Sequence, residues 1–158
     1  MVAEGRPQIE VLCPLSEEGV RQATQLASDP CLVRAEIIIS SPYTRALQTS
    51  AILSKEMQLP LMVEYDLREW IPGTQPQSTK ESIIKAFKED LKKCNSGDPA
   101  HLAQNGLETI ESVRLRTRTV LERYIQYSDV IAVCHGVVIE SQVGGIKVKY
   151  GGVVEISI

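Results

Sequence analysis

Two kinds of apolar pattern alternate along this chain. One is short and continuous: Ile37–Ile39 within "AEIIIS", and Val130–Val133 within "DVIAVC". Such runs, apolar throughout and rich in β-branched residues, predict strands buried on both faces. The other pattern is spaced for helices. Val20, Ala23, Leu26 and Ala27 share one face of a helix expected over about 17–28, opened by Ser16 and stopped by Asp29–Pro30. A second helix is expected over about 43–57. A third, over about 80–93, carries Ile83, Ile84, Phe87 and Leu91 on one side, and a fourth runs over about 108–127. "LMVEY" is a further short strand candidate. The tail "IKVKYGGVVEISI" alternates on both sides of Gly151–Gly152, which predicts a β-hairpin.

Strands that alternate with helices predict an α/β fold with a mostly parallel central sheet, the final hairpin adding an antiparallel edge. No repeat, linker or low-complexity segment divides the chain, so one domain over 1–158 is expected. A domain of this size buries about 70% of the surface its unfolded chain exposes. The stretch "REWIPGTQPQST" (Arg68–Thr79) is rich in proline and glycine and predicts a loop, with the functional bias of long loops.

Composition narrows the partners. The chain is 43% hydrophobic and 23% charged, with a net charge of −3. No global field draws it to nucleic acid or to an anionic membrane, so an anionic ligand must be met by a local cluster of donors. Cys13, Cys31, Cys94 and Cys134 are widely spaced, without a CxxC pair or zinc spacing, and read as reduced thiols of a cytoplasmic protein. The N-terminal stretch lacks the pattern of a signal peptide, and no apolar run is long enough to cross a bilayer.

Three residues stand where chemistry is expected. Ligands of open α/β sheets bind beyond the carboxyl ends of the strands. Arg45 comes after the strand Ile37–Ile39 within "IIISSPYTRALQTSAIL", in the first turn of a helix whose free N–H groups suit an anion. Its guanidinium fork matches phosphate oxygens. The plain alternative is a solvated helix-surface arginine. His135, with Gly136 next to it, closes the strand Val130–Val133, either as a ligand-facing imidazole or as a histidine satisfied by backbone. Glu69, in "DLREW", is an acid at the mouth of the Arg68–Thr79 loop or simply surface charge. His101 lies in the polar stretch "DPAHLAQNG" and reads as exposed. The glycine-rich phosphate loops, the GxSxG elbow and the HExxH zinc motif are all absent.

Together these stretches resemble the histidine phosphatase superfamily, the phosphoglycerate-mutase-like proteins. "PLSEEGVRQATQLA" is similar to that family's P-L-T-x-x-G-x-x-Q-A helix, and "SSPYTRALQT" to its S-S-P-x-x-R-A-x-Q-T segment. "DLREW" is similar to its L-x-E segment, "LETIESVRLRTRTVL" to its E-S-x-x-x-x-x-R helix, and "VIAVCHGVVI" to its strand ending in H-G. "KYGGVVEI" suits the closing strand of short members. The resemblance implies a three-layer α/β sandwich and a metal- and nucleotide-independent reaction. Phosphomonoesters are hydrolysed, or their phosphoryl group transferred, through phosphohistidine. It implies that Arg45 binds phosphoryl oxygens, that His135 stabilises the transferring group, and that Glu69 protonates the leaving oxygen. The implied ligand is a small phosphorylated molecule or inorganic phosphate.

One part of the family pattern is missing. Its nucleophile lies in an R-H-G triplet ending the first strand, and this chain holds no such triplet. His101 and His135 are its only histidines. The expected fold therefore has its first strand missing or replaced, and activity is expected to be weak or nil. Three explanations stand open: a late start, an inactive relative, or another nucleophile. "QIEVLC" (Gln8–Cys13) is a candidate for the replacement strand.

Overall fold

The computed structural model describes residues 11–70 and 108–158, together with Lys85, Lys88, Glu89 and Lys92. Its centre is a sheet of three parallel strands: β1 (Ile37–Ser40), β2 (Leu61–Val63) and β3 (Val130–Val133), in the order β2-β1-β3. Every residue of β1 is buried, as its unbroken apolar run predicts. Its side chains alternate between two cores. Ile38 packs with Leu32, Leu53 and Ile131 on one face, and Ile39 with Leu67, Val120 and Leu121 on the other. Helices cover both faces, giving the α/β layering expected.

Helix α1 (Glu17–Leu26) is opened by Ser16, whose hydroxyl accepts the Gly19 N–H at 3.1 Å, with Glu17 and Glu18 favourably placed in its first turn. It stops at the Pro30–Leu32 3₁₀ turn, where the Asp29 carboxylate accepts the Cys31 N–H. Helix α2 (Thr44–Met57) packs on α1 and on β1, and ends at Gln58 in the left-handed conformation, φ 56°. Helix α3 (Ile110–Glu122) is capped by Thr109 through the Ser112 N–H at 3.1 Å. It is shorter than the 108–127 expected. The chain turns off beyond Glu122, where Arg123 and Tyr124 both bond the Glu64 carboxylate, at 2.8 and 2.6 Å. Helix α4 (Gly136–Gln142) leaves directly from β3.

Two expectations fail. The tail forms a turn at Gly151, φ 69°, closed by the Gly152 N–H on Lys149 O at 2.9 Å, but its arms make no strand and no antiparallel edge. They lie largely exposed, with Val148 partly buried and Tyr150 fully in solvent. A lone two-stranded hairpin is marginal in water, and nothing in the described sheet pairs with it. The replacement strand also fails where it is described: Val11 and Leu12 are helical and do not join the sheet. Residues 8–10, the 71–79 loop and most of the helix expected over 80–93 lie outside the described residues, as do Cys94 and His101. Lys85, Lys88, Glu89 and Lys92 are helical.

Two buried hydroxyls, those of Ser50 and Thr117, lack a hydrogen-bond partner among the described residues, and the first has a measurable consequence. The Ser50 hydroxyl, inside α2, is fully buried and has no hydrogen-bond partner among the described residues. A buried hydroxyl left unsatisfied carries a desolvation penalty, and alanine is the better helix former. Ser50→Ala is expected to raise unfolding stability by about 1 kcal/mol, read as a higher urea midpoint at unchanged slope. A loss of stability would show that the hydroxyl has a partner.

Candidate active site

The register of the sheet builds the site. Ser40 on β1 stands opposite Val133 on β3, so the two strands end level. The Ser41 N–H bonds Val133 O at 2.9 Å, continuing the ladder one residue further. The residues just beyond the two strands are therefore brought to one place: Ser41, Tyr43 and Arg45 from the β1–α2 connection, and His135 from the β3–α4 junction. Arg45 and His135, ninety residues apart in the chain, meet with Nη2 at 3.1 Å from Nδ1. On the opposite side of the ring, Nε2 lies 2.7 Å from the Ser41 hydroxyl. The Tyr43 ring packs against the imidazole at 4.9 Å between centroids and also lies under the Arg45 guanidinium at 5.3 Å.

His135 is buried beside positive charge. Burial, then Arg45, then Arg116 hold its pKa down at about 3, so the ring is neutral at pH 7. Among the described residues, nothing stands within 4 Å of where a Cβ on Gly136 would be.

Glu69 arrives from β2. After β2, the Glu64 N–H bonds Ser40 O at 2.8 Å, and the Tyr65–Leu67 3₁₀ turn drives Leu67 into the core under Ile39. The turn aims Glu69 back at the site, where its carboxylate accepts the Trp70 N–H at 2.9 Å and the N–H of Val137, two residues past His135. Burial pushes its pKa above the ordinary carboxyl value, against the opposing pull of the Trp70 and Val137 N–H groups, Arg45 and Arg116. A carboxyl shifted upward in this way is suited to keep a proton for a leaving group.

Beneath Glu69 lies an ion-pair network that the sequence did not reveal. Arg116 grips the Glu108 carboxylate with two nitrogens, Nε at 2.6 Å and Nη2 at 3.2 Å, and donates from Nη1 to the Asp66 carbonyl. Arg68 reaches both Asp66, at 2.6 Å, and Glu108, at 3.5 Å, and the Trp70 indole donates to the Glu108 carbonyl. Both chain neighbours of Glu69 are thus tied to Glu108. The family's E-S-x-x-x-x-x-R spacing selects Glu111 and Arg118 instead. Arg118 is exposed, and Glu111 pairs with Arg114 at 3.4 Å. In the run Arg114, Arg116, Arg118, only helical rotation decides which arginine turns toward the site. Ser41 did carry a signal, since it shares the "SSP" stretch that leads to Arg45.

A metal-binding group of three or more His, Cys, Asp or Glu side chains does not occur among the described residues. No helix among them is long and apolar enough to cross a membrane.

The chain fits the model of the histidine phosphatase superfamily (branch 1) over residues 2–147 and belongs to that superfamily. Among solved structures, it is similar to mycobacterial glucosyl-3-phosphoglycerate phosphatase in complex with VO3, with 26% identity and a TM-score of 0.61 over 80% of this chain and 65% of that one. The same mycobacterial phosphatase with inorganic phosphate aligns at 24% identity and TM-score 0.61, over 81% of this chain and 66% of that one. The alpha-ribazole phosphatase from Shigella flexneri shares the fold at 20% identity and TM-score 0.59, over 90% and 77% of the two chains. The chain thus spans just under two thirds of the length of the mycobacterial structures. No curated protein matches the sequence.

Proposed function

We propose that the 158 residues act as one histidine-phosphatase domain that binds a phosphoryl group, or inorganic phosphate, between Arg45 and His135. The observation that carries this reading is the 3.1 Å approach of Arg45 Nη2 to His135 Nδ1 beyond the level ends of β1 and β3. Arg45 supplies fixed positive charge and a planar donor fork for the equatorial oxygens. An anion entering here takes the guanidinium away from Nδ1 and brings negative charge to the ring. Both changes favour protonation of His135, which then donates to the phosphoryl oxygens as charge builds on them. Glu69, whose carboxyl burial shifts upward, is the group that delivers a proton to the leaving oxygen. The vanadate and phosphate complexes of the mycobacterial phosphatase support an anion of this shape.

Covalent phosphoryl transfer needs an imidazole to accept the group. With His135 assigned to stabilisation, and His101 as the only other histidine, turnover by this chain is expected to be weak or nil. That count favours a second reading, a non-catalytic phosphate-binding or protein-interaction module. The exposed Cys13 and Cys31 thiols and the part-buried Cys134 thiol suit a reducing, cytoplasmic setting.

Thermal unfolding tests the binding step. Phosphate or vanadate at a hundredfold excess over Kd stabilises by about 2.7 kcal/mol, which raises the melting temperature by roughly 5–10 °C. Arg45→Ala is expected to abolish the rise. No rise at millimolar phosphate overturns the proposal. Metal-independent hydrolysis of an aryl phosphate, run in parallel, separates the two readings. A thermal rise without turnover favours the binding module, and turnover lost in Arg45→Ala and His135→Ala favours the enzyme.

A further inference from the structure

We infer that Ser41 is a positioning residue whose hydroxyl, together with Arg45, locks the His135 imidazole in one tautomer, with Nδ1 facing Arg45 and the anion that Arg45 would hold. The role toward the anion rests on the phosphate-site reading; the lock on the ring rests on geometry alone.

A guanidinium has donors and no acceptor. The 3.1 Å contact from Arg45 Nη2 therefore requires Nδ1 to be bare. The neutral ring must then carry its hydrogen on Nε2, which donates to Ser41 Oγ at 2.7 Å. The Tyr43 N–H, at 3.3 Å, takes up the second acceptor position of the same hydroxyl. Ser41 itself is fully buried and pinned by its N–H to Val133 O, so the hydroxyl is fixed relative to the strand that carries His135. The Tyr43 ring closes one face of the imidazole.

The same geometry excludes a serine–histidine nucleophile pair, despite the short contact. To take a proton from Ser41, Nε2 would have to be bare, and Arg45 enforces the opposite tautomer. Ser41 is an acceptor here. Without it, Nε2–H would be a buried donor lacking a partner; that penalty opposes the preference Arg45 sets, so the ring would exchange tautomers or turn over. The nitrogen facing the anion would then alternate between useful and useless forms. With Ser41 in place, a ring that gains a proton gains it at Nδ1, where an anion can receive it.

Protein labelled with ¹⁵N-histidine tests this directly. The chain has two imidazoles, His101 and His135, and His101→Gln assigns them. The wild type at neutral pH is expected to show His135 with hydrogen on Nε2 and a pyridine-type Nδ1. In Ser41→Ala the two ring nitrogens shift toward averaged positions, and vanadate affinity measured by titration falls about tenfold. Ser41→Cys keeps the side-chain volume with a poor acceptor and serves if the alanine variant is unfolded by circular dichroism; the same shifts are expected. A hydrogen on Nδ1 in the wild type, or ring signals unchanged in a folded variant, overturns the inference. If the ring signals behave as expected and the wild type does not bind vanadate, the phosphate-site reading falls while the lock by Ser41 stands.

Discussion

Acidification from pH 6.5 toward pH 3 is expected to destabilise the native protein through His135 by on the order of 4 kcal/mol, and His135→Gln to remove that component. The sign is set by which state binds the proton. In the unfolded chain, His135 titrates near its ordinary 6.5; in the native site, burial and the two arginines hold it near 3. Between these values the unfolded state is protonated and the native state is not. This contribution is therefore fully present above 6.5 and drains away as pH falls toward 3. Glu69 acts in the opposite direction. Its native pKa is raised, so the unfolded carboxyl ionises first as pH rises, and Glu69 contributes most below its ordinary value of 4.5. Subtracting the His135→Gln stability curve from that of the wild type, both by urea unfolding between pH 7 and pH 4, isolates the histidine. A difference that does not change with pH sinks the prediction. Arg45→Ala should flatten the wild-type slope in part, since Arg45 is one of the charges opposing protonation.

Glu108→Ala is expected to cost about 3–5 kcal/mol of unfolding stability. The Glu108 carboxylate joins Arg116 and Arg68, and its side chain is only 14% exposed. Removing it leaves Arg116, 10% exposed, with a buried charge and, among the described residues, the Asp66 carbonyl as its remaining hydrogen-bond partner. Breaking one member of a buried pair is costly because the other charge stays desolvated. Replacing both members tests that cause: Glu108→Gln with Arg116→Met should recover most of the loss, because neither member of that pair is then charged. A single-variant loss below about 1 kcal/mol would class the pair with ordinary surface bridges. The exposed Glu18–Arg21 pair is the internal control, and Glu18→Ala should change stability by no more than about 1 kcal/mol.

Local signals carried much of the architecture. The apolar runs marked β1 and β3 because strands buried on both faces leave no polar alternation. Ser16 and Asp29–Pro30 marked the ends of the first helix because capping and proline chemistry act within a few residues. The end of α3 was not legible, since Arg123 and Tyr124 leave the helix beside Glu64, which is 59 residues away for Arg123. The tail misled for a related reason. Its alternation is a true strand pattern, and its glycines make the turn, but a ladder also needs a partner strand.

The candidate site divides along the same line. The sequence by itself determined which residue types come after each strand: a serine pair and an arginine after β1, an acid after β2, a histidine and a glycine after β3. It also carried enough ordered motif to identify the superfamily. The tertiary structure alone decided that Arg45 and His135 touch, that Ser41 holds the far nitrogen, and that Arg116 rather than Arg118 lies under Glu69. Those outcomes depend on the level register of β1 against β3 and on the rotation of α3. Register and rotation are set by burying many side chains at once, a sum over the whole core that no short stretch of sequence contains.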